Sequence, residues 1–569
     1  MYVFTILLRI IIICIISYYI KRFNKIMNMN KVLLTIIGLG LSFQLYAQAR
    51  QPVTPETDDP AEITIGERLT LETRFAQAYY ANSNKADPAL DKTLTTSGEL
   101  RGPFAGKTMN CRACHMVDEH ADNPLAGMRS YTDFASRPPI PTRKDGAHNS
   151  LRNSMSMVNI SIPRDNGTVF HFDGEFNSMK DLVKGTFTGR NFGWLASESE
   201  IAIQHLAKII REDDGKDELG REFGGSYRKV LKGTAKDLPE ELRLPKKLRI
   251  DVDNATDSEI LDAIAKLVSA YVTNLTFATD DNGNYIASPY DVFLKKNNLP
   301  AKPDKNESVK AYNQRLLKTV NELKAPKFVN ETDGKFATHK QKFVFAGKEL
   351  EGMKLFFSKG RQRQSGGNCV SCHTAPHFSD FSFHNTGLIQ HNYDNLHGAS
   401  EFMKLAIPEL EKRNADYNAY LPATAIHSTA SSRFRTSPAK NKPGYTDLGL
   451  WNVFANPDMP NPQEKLSAIM CSQTKNTGTT QCNNKTLLPL TIAAFKTPVL
   501  RDLGHADPYM HTGQFFDLKQ AVSFYITSAT LAKAGHLRNA DPALKHINLS
   551  AKDIEPLVSF LKSLNEDYE

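Results

Sequence analysis

The sequence predicts a mainly α-helical fold with long loops, and three observations carry that expectation. Hydroxyl and acidic side chains stand at helix-capping positions ahead of apolar stripes with helical spacing, at Ser197, Thr256, Asp517 and Ser550. No alternating apolar and polar run is long enough to read as a half-buried strand. The segment Cys111-Arg112-Ala113-Cys114-His115 recurs as Cys369-Val370-Ser371-Cys372-His373, and C-x-x-C-H is the pattern by which a c-type haem is tied to its polypeptide.

The spacing in that segment has a chemical reason. Two thiols three residues apart can add to the two vinyl groups of one haem, and the adjacent His then lies under the iron as an axial nitrogen. Two copies imply two covalent haem c groups. A zinc site would want a second ligand pair near each Cys pair at finger-like spacing, and none is there. A redox dithiol would not need a His directly after both pairs.

Composition bounds the rest. The chain of 569 residues is long enough for roughly two to four domains. With 40% hydrophobic and 23% charged residues it reads as an ordinary globular protein. A net charge of +8 over 70 basic and 62 acidic residues gives no reason to expect nucleic acid. Of seven Cys, four go to the haems. Cys471 and Cys482 lie in a polar Gly/Thr/Asn-rich stretch and read as a loop disulfide of an oxidising compartment. Cys14 lies in the N-terminal apolar run, outside the mature chain.

In chain order, residues 27–49 read as a secretory signal, with Lys31, the apolar core Val32 to Leu41, and a small-x-small cleavage site at Ala47-Gln48-Ala49. Upstream, Val3 to Ile20 is followed by Lys21 and Arg22 and is about the length that spans a bilayer. Residues 1–26 are therefore either a membrane anchor or the product of a mis-assigned start, with Met27 or Met29 the true one. The second reading is favoured because two tandem export segments are unusual. Either way the body is exported to the periplasm. Residues 50–64 are a Pro- and Asp-rich lead-in, and 127–150 a loop with Pro138, Pro139, Pro141 and Gly146.

Ser197-x-x-Glu200 opens a helix carrying Ile201, His205, Leu206, Ile209 and Ile210, and Thr256-x-x-Glu259 another carrying Ile260, Leu261, Ile264, Leu267 and Val268. Asp517 caps a helix with Leu518, Ala521, Val522 and Tyr525, and Ser550-x-x-Asp553 opens the last, with Ile554, Leu557, Val558 and Leu561. Residues 294–345, polar and rich in Lys, Asn and Pro, read as an insert, as do 395–490, which are low in periodicity. The mature chain then divides into an N-terminal haem domain, 50–345, and a C-terminal haem domain, 346–569.

Segments beyond the haem motifs resemble the bacterial di-haem cytochrome c peroxidases and their MauG-like relatives. Residues 152–174, RNSMSMVNISIPRDNGTVFHFDG, are similar to that family's R-N-x-P-S-L-x-N segment and its F-W-D-G. SPYDVF at 288–293 resembles S-P-F-D-x-Y, FSDFSFHNTG at 378–387 follows the second haem as in the family, and FKTPVLRDLGHADPYMHTG at 495–513 is close to F-K-T-P-x-L-R-N…P-Y-x-H-x-G. The resemblance implies two cytochrome c-like domains with calcium between the haems. One haem is then the site of peroxide reaction, and the other stores or relays electrons.

Matched position by position, the resemblance makes His115 and His373 the proximal iron ligands. It places the far ligand of the C-terminal haem fourteen residues after His511, at Tyr525. The peroxidases proper have Met there, the MauG-like branch Tyr. A tyrosinate is a hard anionic donor that favours ferric and higher oxidation states. Tyr525 also shares an apolar stripe with Leu518, Ala521 and Val522, which leaves a plain core Tyr as the alternative. For calcium the resemblance points to the Asn153 side chain and the Ala506 and Pro508 carbonyls, an oxygen-only set that suits the ion. It makes Arg501 a haem-propionate partner and His511 part of a haem-edge hydrogen-bond network.

The departures bear on function. Phe172 stands where the family has the Trp that relays electrons between the haems, and Phe is far harder to oxidise; Trp194 is the candidate substitute. The family's Gln, ten residues after that Trp, falls at Leu182. The Glu that moves a peroxide proton falls near Phe192. Glu198 and Glu200 are alternatives, although a first helical turn attracts acidic residues for dipole reasons, and Arg190 or His171 could assist peroxide. Met116, Met128 and His148 are candidates to close the iron's sixth site. An apolar far side suits O₂ or an occluded iron better than peroxide cleavage, and the rubber oxygenases resemble this case in lacking the acid.

The reading is a periplasmic, cytochrome c peroxidase-like di-haem oxidoreductase. It reduces hydrogen peroxide, or activates O₂, at the N-terminal haem, with electrons relayed through the C-terminal haem from a small cytochrome c or cupredoxin. Its rivals are MauG-like or oxygenase-type oxidation of an organic or protein substrate, and a non-catalytic di-haem electron carrier.

Overall fold

The computed structural model describes residues 59–82, 110–111, 114–116, 129–130, 143, 145, 152–164, 167–337, 339–475 and 481–567. The secretory signal, the upstream apolar run with Cys14, Met128 and His148 lie outside the described residues, as does the side chain of Met116.

The longer helices are α1 (Ala61–Leu71), α2 (Met179–Phe187), α3 (Ser199–Glu212), α4 (Asp257–Asn274), α5 (Pro289–Lys296), α6 (Val309–Glu322), α7 (Gly347–Phe357), α8 (Leu388–His397), α9 (Gln463–Lys475), α10 (Leu518–Lys533) and α11 (Ala551–Lys562). Two antiparallel pairs of two-residue strands join them: β1 (His115–Met116) with β2 (Arg129–Ser130), and β3 (Phe383–His384) with β4 (Phe495–Lys496). Among the described residues no helix is long and apolar enough to cross a membrane.

Three of the four expected caps form. Thr256 and Glu259 exchange backbone and side-chain hydrogen bonds at the start of α4, Asp517 accepts from Gln520 N at α10, and Ser550 N donates to Asp553 at α11. Each cap satisfies backbone N–H groups that have no partner within the helix. The fourth differs. A 3₁₀ turn over Ala196–Glu198 precedes α3, Glu198 takes the Leu195 N–H at 2.8 Å, and Glu200 stays exposed.

Three apolar cores follow. In the first, α1, α2 and α3 pack on α4 through Leu69, Phe187, Leu206 and Ile264. Gly66 allows the close approach, since a Cβ there would strike the Leu267 carbonyl. The second gathers α5, α6, α7 and α11 around Phe293, Leu316, Phe356 and Phe560. The polar stretch 294–345 contributes to this second core. Its helix α6 turns Tyr312, Leu316 and Val320, four residues apart, into the second core and leaves its other faces wet. The third core is built largely by 395–490, with Phe434, Leu448 and Trp451, and it takes in Phe172 and Phe383. Cys471 on α9 and Cys482 form the expected disulfide, with Cα atoms 5.6 Å apart.

Candidate active site

Cys111, Cys114 and His115 line one cavity of about 1220 Å³, counting its open mouth. Its apolar wall comes from α2 and α4, through Leu182, Val183, Phe187, Val268 and Val272, with Phe192 beside them. His115 Nδ1 lies 2.7 Å from the Met155 carbonyl. Donation to that carbonyl fixes the tautomer and leaves Nε2 as the ligating atom, as metal-bound imidazoles require. Burial lowers the His115 pKa to about 4, so the ring is neutral near pH 7. Burial pushes the Cys111 and Cys114 thiols up to about 12, the reverse of a reactive dithiol. These residues fit a covalent haem.

The second centre repeats the arrangement. His373 Nδ1 lies 3.1 Å from the Phe378 carbonyl, burial lowers its pKa to about 4, and burial takes Cys369 up to about 12. Tyr525, on α10, is half-buried, and burial, with the thiols of Cys372 and Cys369, raises its phenol pKa. Among the described residues its hydroxyl has no hydrogen-bond partner. The apolar stripe on α10 thus carries a phenol that responds electrostatically to the haem-segment thiols.

Phe172 lines both the first cavity and a second of about 710 Å³. Asn153, Ala506 and Pro508 meet in the latter. The Asn153 amide lies 2.5 Å from the Pro508 carbonyl and 3.2 Å from that of Met510. Turned over, the amide presents an oxygen instead, beside those two carbonyls; Arg164 and Lys496 line the same cavity. His511 stacks on Phe495 at 3.6 Å and stands 6.1 Å from Phe172, with its Nε2 buried and unpartnered.

Other expectations need correction. Trp194 does not line either cavity; it sits in the first core against Tyr80 and His205, and its Nε1 donates to the Phe75 carbonyl. Arg501 is not at the surface. Its guanidinium is saturated by Asp291, at 2.9 Å to both oxygens, and by Glu566, and it lies over the Tyr285 ring. Glu198 is held by Arg143 at 2.8 and 2.9 Å and cannot serve the cavity.

The cavity wall is not wholly apolar. Leu182 and Phe192 line the cavity as expected, but so do Arg152, His171 and Arg190. Behind them stands an ion network that the sequence did not reveal. Arg152 pairs with Asp173 at 2.6 Å and Asp447 at 2.6 Å, Arg435 with Asp173 at 2.8 Å and Glu175 at 2.8 Å, and Arg190 with Glu175 at 2.6 Å. Asp173 belongs to the motif-like F-D-G run. Arg435 and Asp447 come from the 395–490 stretch, and pairings across more than two hundred residues leave no local signal.

No family model matches the chain. Two curated proteins are similar to parts of it. A cytochrome-c peroxidase, IdrP1, of Pseudomonas sp. (strain SCT) is 31% identical over 77 residues, 14% of this chain and 19% of that protein. A cytochrome-c peroxidase, IdrP2, of Denitromonas iodatirespirans is 27% identical over 238 residues, 41% of each. The chain thus matches well under half the length of either relative. Among solved structures, the diheme peroxidase BthA from Burkholderia thailandensis E264 overlaps with a TM-score of 0.40 at 15% identity, over 89% of this chain and 86% of that one. A MauG-like protein associated with microbial copper homeostasis overlaps with a TM-score of 0.41 at 14% identity, over 91% and 96%. Two C-x-x-C-H segments built alike thus stand in a chain that is similar, over parts of its length, to bacterial cytochrome-c peroxidases.

Proposed function

We propose that this protein is an exported di-haem c-type oxidoreductase of the peroxidase class, reducing hydrogen peroxide at the haem held by Cys111, Cys114 and His115. The observation that carries the reading is the repeated geometry: the Nδ1–H of each C-x-x-C-H histidine donates a hydrogen bond to a nearby backbone carbonyl, which leaves Nε2 for iron. Bound haem supplies the oxidisable centre at which the O–O bond is cleaved and the electrons are stored. The chain does the rest. Met155 and Phe378 set the two imidazole tautomers, the α2 and α4 side chains keep water from the first cavity, and Tyr525 offers the second iron a phenolate oxygen. Electrons arrive from a small donor protein by way of the C-terminal haem. Asn153, Ala506 and Pro508 hold calcium beside Phe172, and the compartment is the periplasm.

A second reading, MauG-like oxidation of an organic or protein substrate, draws support from Tyr525. A half-buried phenol whose pKa is raised by burial and by the Cys372 and Cys369 thiols is the donor that would sustain a high oxidation state. Stopped-flow spectroscopy with hydrogen peroxide, on the wild type and on Tyr525→Phe, separates the two. Multiple turnovers with a reduced donor protein, little changed by the substitution, favour the peroxidase. A long-lived oxidised species that the substitution abolishes favours the second reading. Purified exported protein lacking two covalent haems by mass would overturn both.

A further inference from the structure

We infer that His171, oriented by Glu175, is the proton-transferring group of the N-terminal haem cavity, standing in for the carboxylate the sequence lacks there; the inference rests on the peroxidase reading above. His171 lines the same cavity as Cys111, Cys114 and His115. Its Nδ1 is 3.0 Å from Glu175 Oε2, to which it donates, and the neighbouring Arg190 Nη2 donates to the same carboxylate oxygen at 2.6 Å. Nε2 is the ring nitrogen left for a molecule in the cavity, and among the described residues it has no hydrogen-bond partner. A base whose second nitrogen is held by a carboxylate is the arrangement that fixes both tautomer and direction in general acid–base catalysis.

The surroundings explain why this cluster is a proton device and not a cation site. His171, Asp173 and Glu175 converge closely enough to hold a metal ion. Three guanidiniums, Arg152, Arg190 and Arg435, already face the three carboxylates Asp173, Glu175 and Asp447, so a metal would bring excess positive charge. The charges cancel without His171, and burial lowers its pKa against the pull of Glu175. The ring is thus neutral and free to accept a proton. Arg435, from the 395–490 stretch, grips Glu175 through both carboxylate oxygens and acts as a positioning residue.

In the step assigned here, His171 Nε2 takes the proton from one oxygen of H₂O₂ and gives it to the other. The O–O bond breaks, one water leaves, and the imidazole returns to its starting form. The two electrons come from the haems and are replaced by the one-electron donor protein. Two solvent protons complete the second water.

The test uses the purified di-haem protein and two readouts, the peroxide reaction and cyanide binding to the ferric N-terminal haem. Cyanide enters as HCN and must leave its proton on a base in the cavity. His171→Phe and His171→Gln are each expected to slow the peroxide reaction by about 10²- to 10³-fold and cyanide association by at least about tenfold, with haem content and the C-terminal haem spectrum unchanged. Glu175→Gln is expected to shift the pH profile of cyanide association, and Arg435→Ala to shift it less. Rates within twofold of wild type for both His171 variants would overturn the assignment. A wild type that binds cyanide in a His171-dependent way yet does not turn over peroxide would sustain the assignment and sink the peroxidase reading.

Discussion

His115 and His373 sit at sites where one backbone carbonyl decides which nitrogen meets a metal. The C-x-x-C-H pattern names the residue, and Met155 and Phe378 supply the direction. Trp194 shows the opposite case, a residue whose chemistry invited a role its position denies. Because its ring is packed in the first core, Trp194→Phe should lower stability by about 1–2 kcal/mol, through the orphaned Phe75 carbonyl, and leave both haem spectra and peroxide kinetics unaltered in thermal melts and stopped-flow traces. Asp173 carries a pH dependence. Burial would raise its pKa, but Arg152 and then Arg435 bring it from 3.8 down to about 2. A carboxyl with a depressed folded-state pKa stabilises above its unfolded value and loses that stabilisation as pH falls through the folded one. Asp173→Asn should cost about 3–5 kcal/mol at pH 7, by leaving the buried network around Arg152 and Arg435 one carboxylate short. The gap to wild type should narrow by about 2 kcal/mol as pH falls from roughly 4 to 2, as read by urea unfolding at stepped pH.

Helices were the most legible scale. Thr256, Asp517 and Ser550 marked the starts of α4, α10 and α11 because caps and stripes are local features. α3 began two residues after its expected cap, since Glu198 found the Leu195 N–H first. α6 was read as polar insert because only one of its faces is apolar. Close helix pairs were not legible. Gly352 on α7 lies so near α11 that a Cβ would collide with the Pro556 carbonyl, a contact with backbone that cannot swing aside. Gly352→Ala should therefore destabilise by about 1–3 kcal/mol despite the better helix propensity of Ala. Chemical denaturation would show it as a lower midpoint, and an unchanged or higher one would refute the close packing.

For the molecule as a whole, 395–490 is a working part of the site: it builds the third core around Phe172 and sends Arg435 and Asp447 to the cavity network. The calcium reading belongs to this scale because Asn153 and Pro508 are joined only by folding. Chelation with EGTA should slow electron exchange between the two haems by at least tenfold, added Ca²⁺ should restore it, and Asn153→Ala should mimic the chelated protein in flash-reduction kinetics. Exchange indifferent to chelation would remove calcium from the account.

The haem segments, the caps, the disulfide pair and the predominance of helix were decided by the sequence alone. Each is written in residues a few positions apart, where covalent chemistry and hydrogen-bond reach act without help from the fold. The third core, the packing of Trp194 in the first core and of Arg501 against Asp291 and Glu566, and the union of His171 and Glu175 with Arg435 were decided only by tertiary structure. Burial makes those charge pairs strong and selective, and burial is a property of the folded chain, not of any stretch of it.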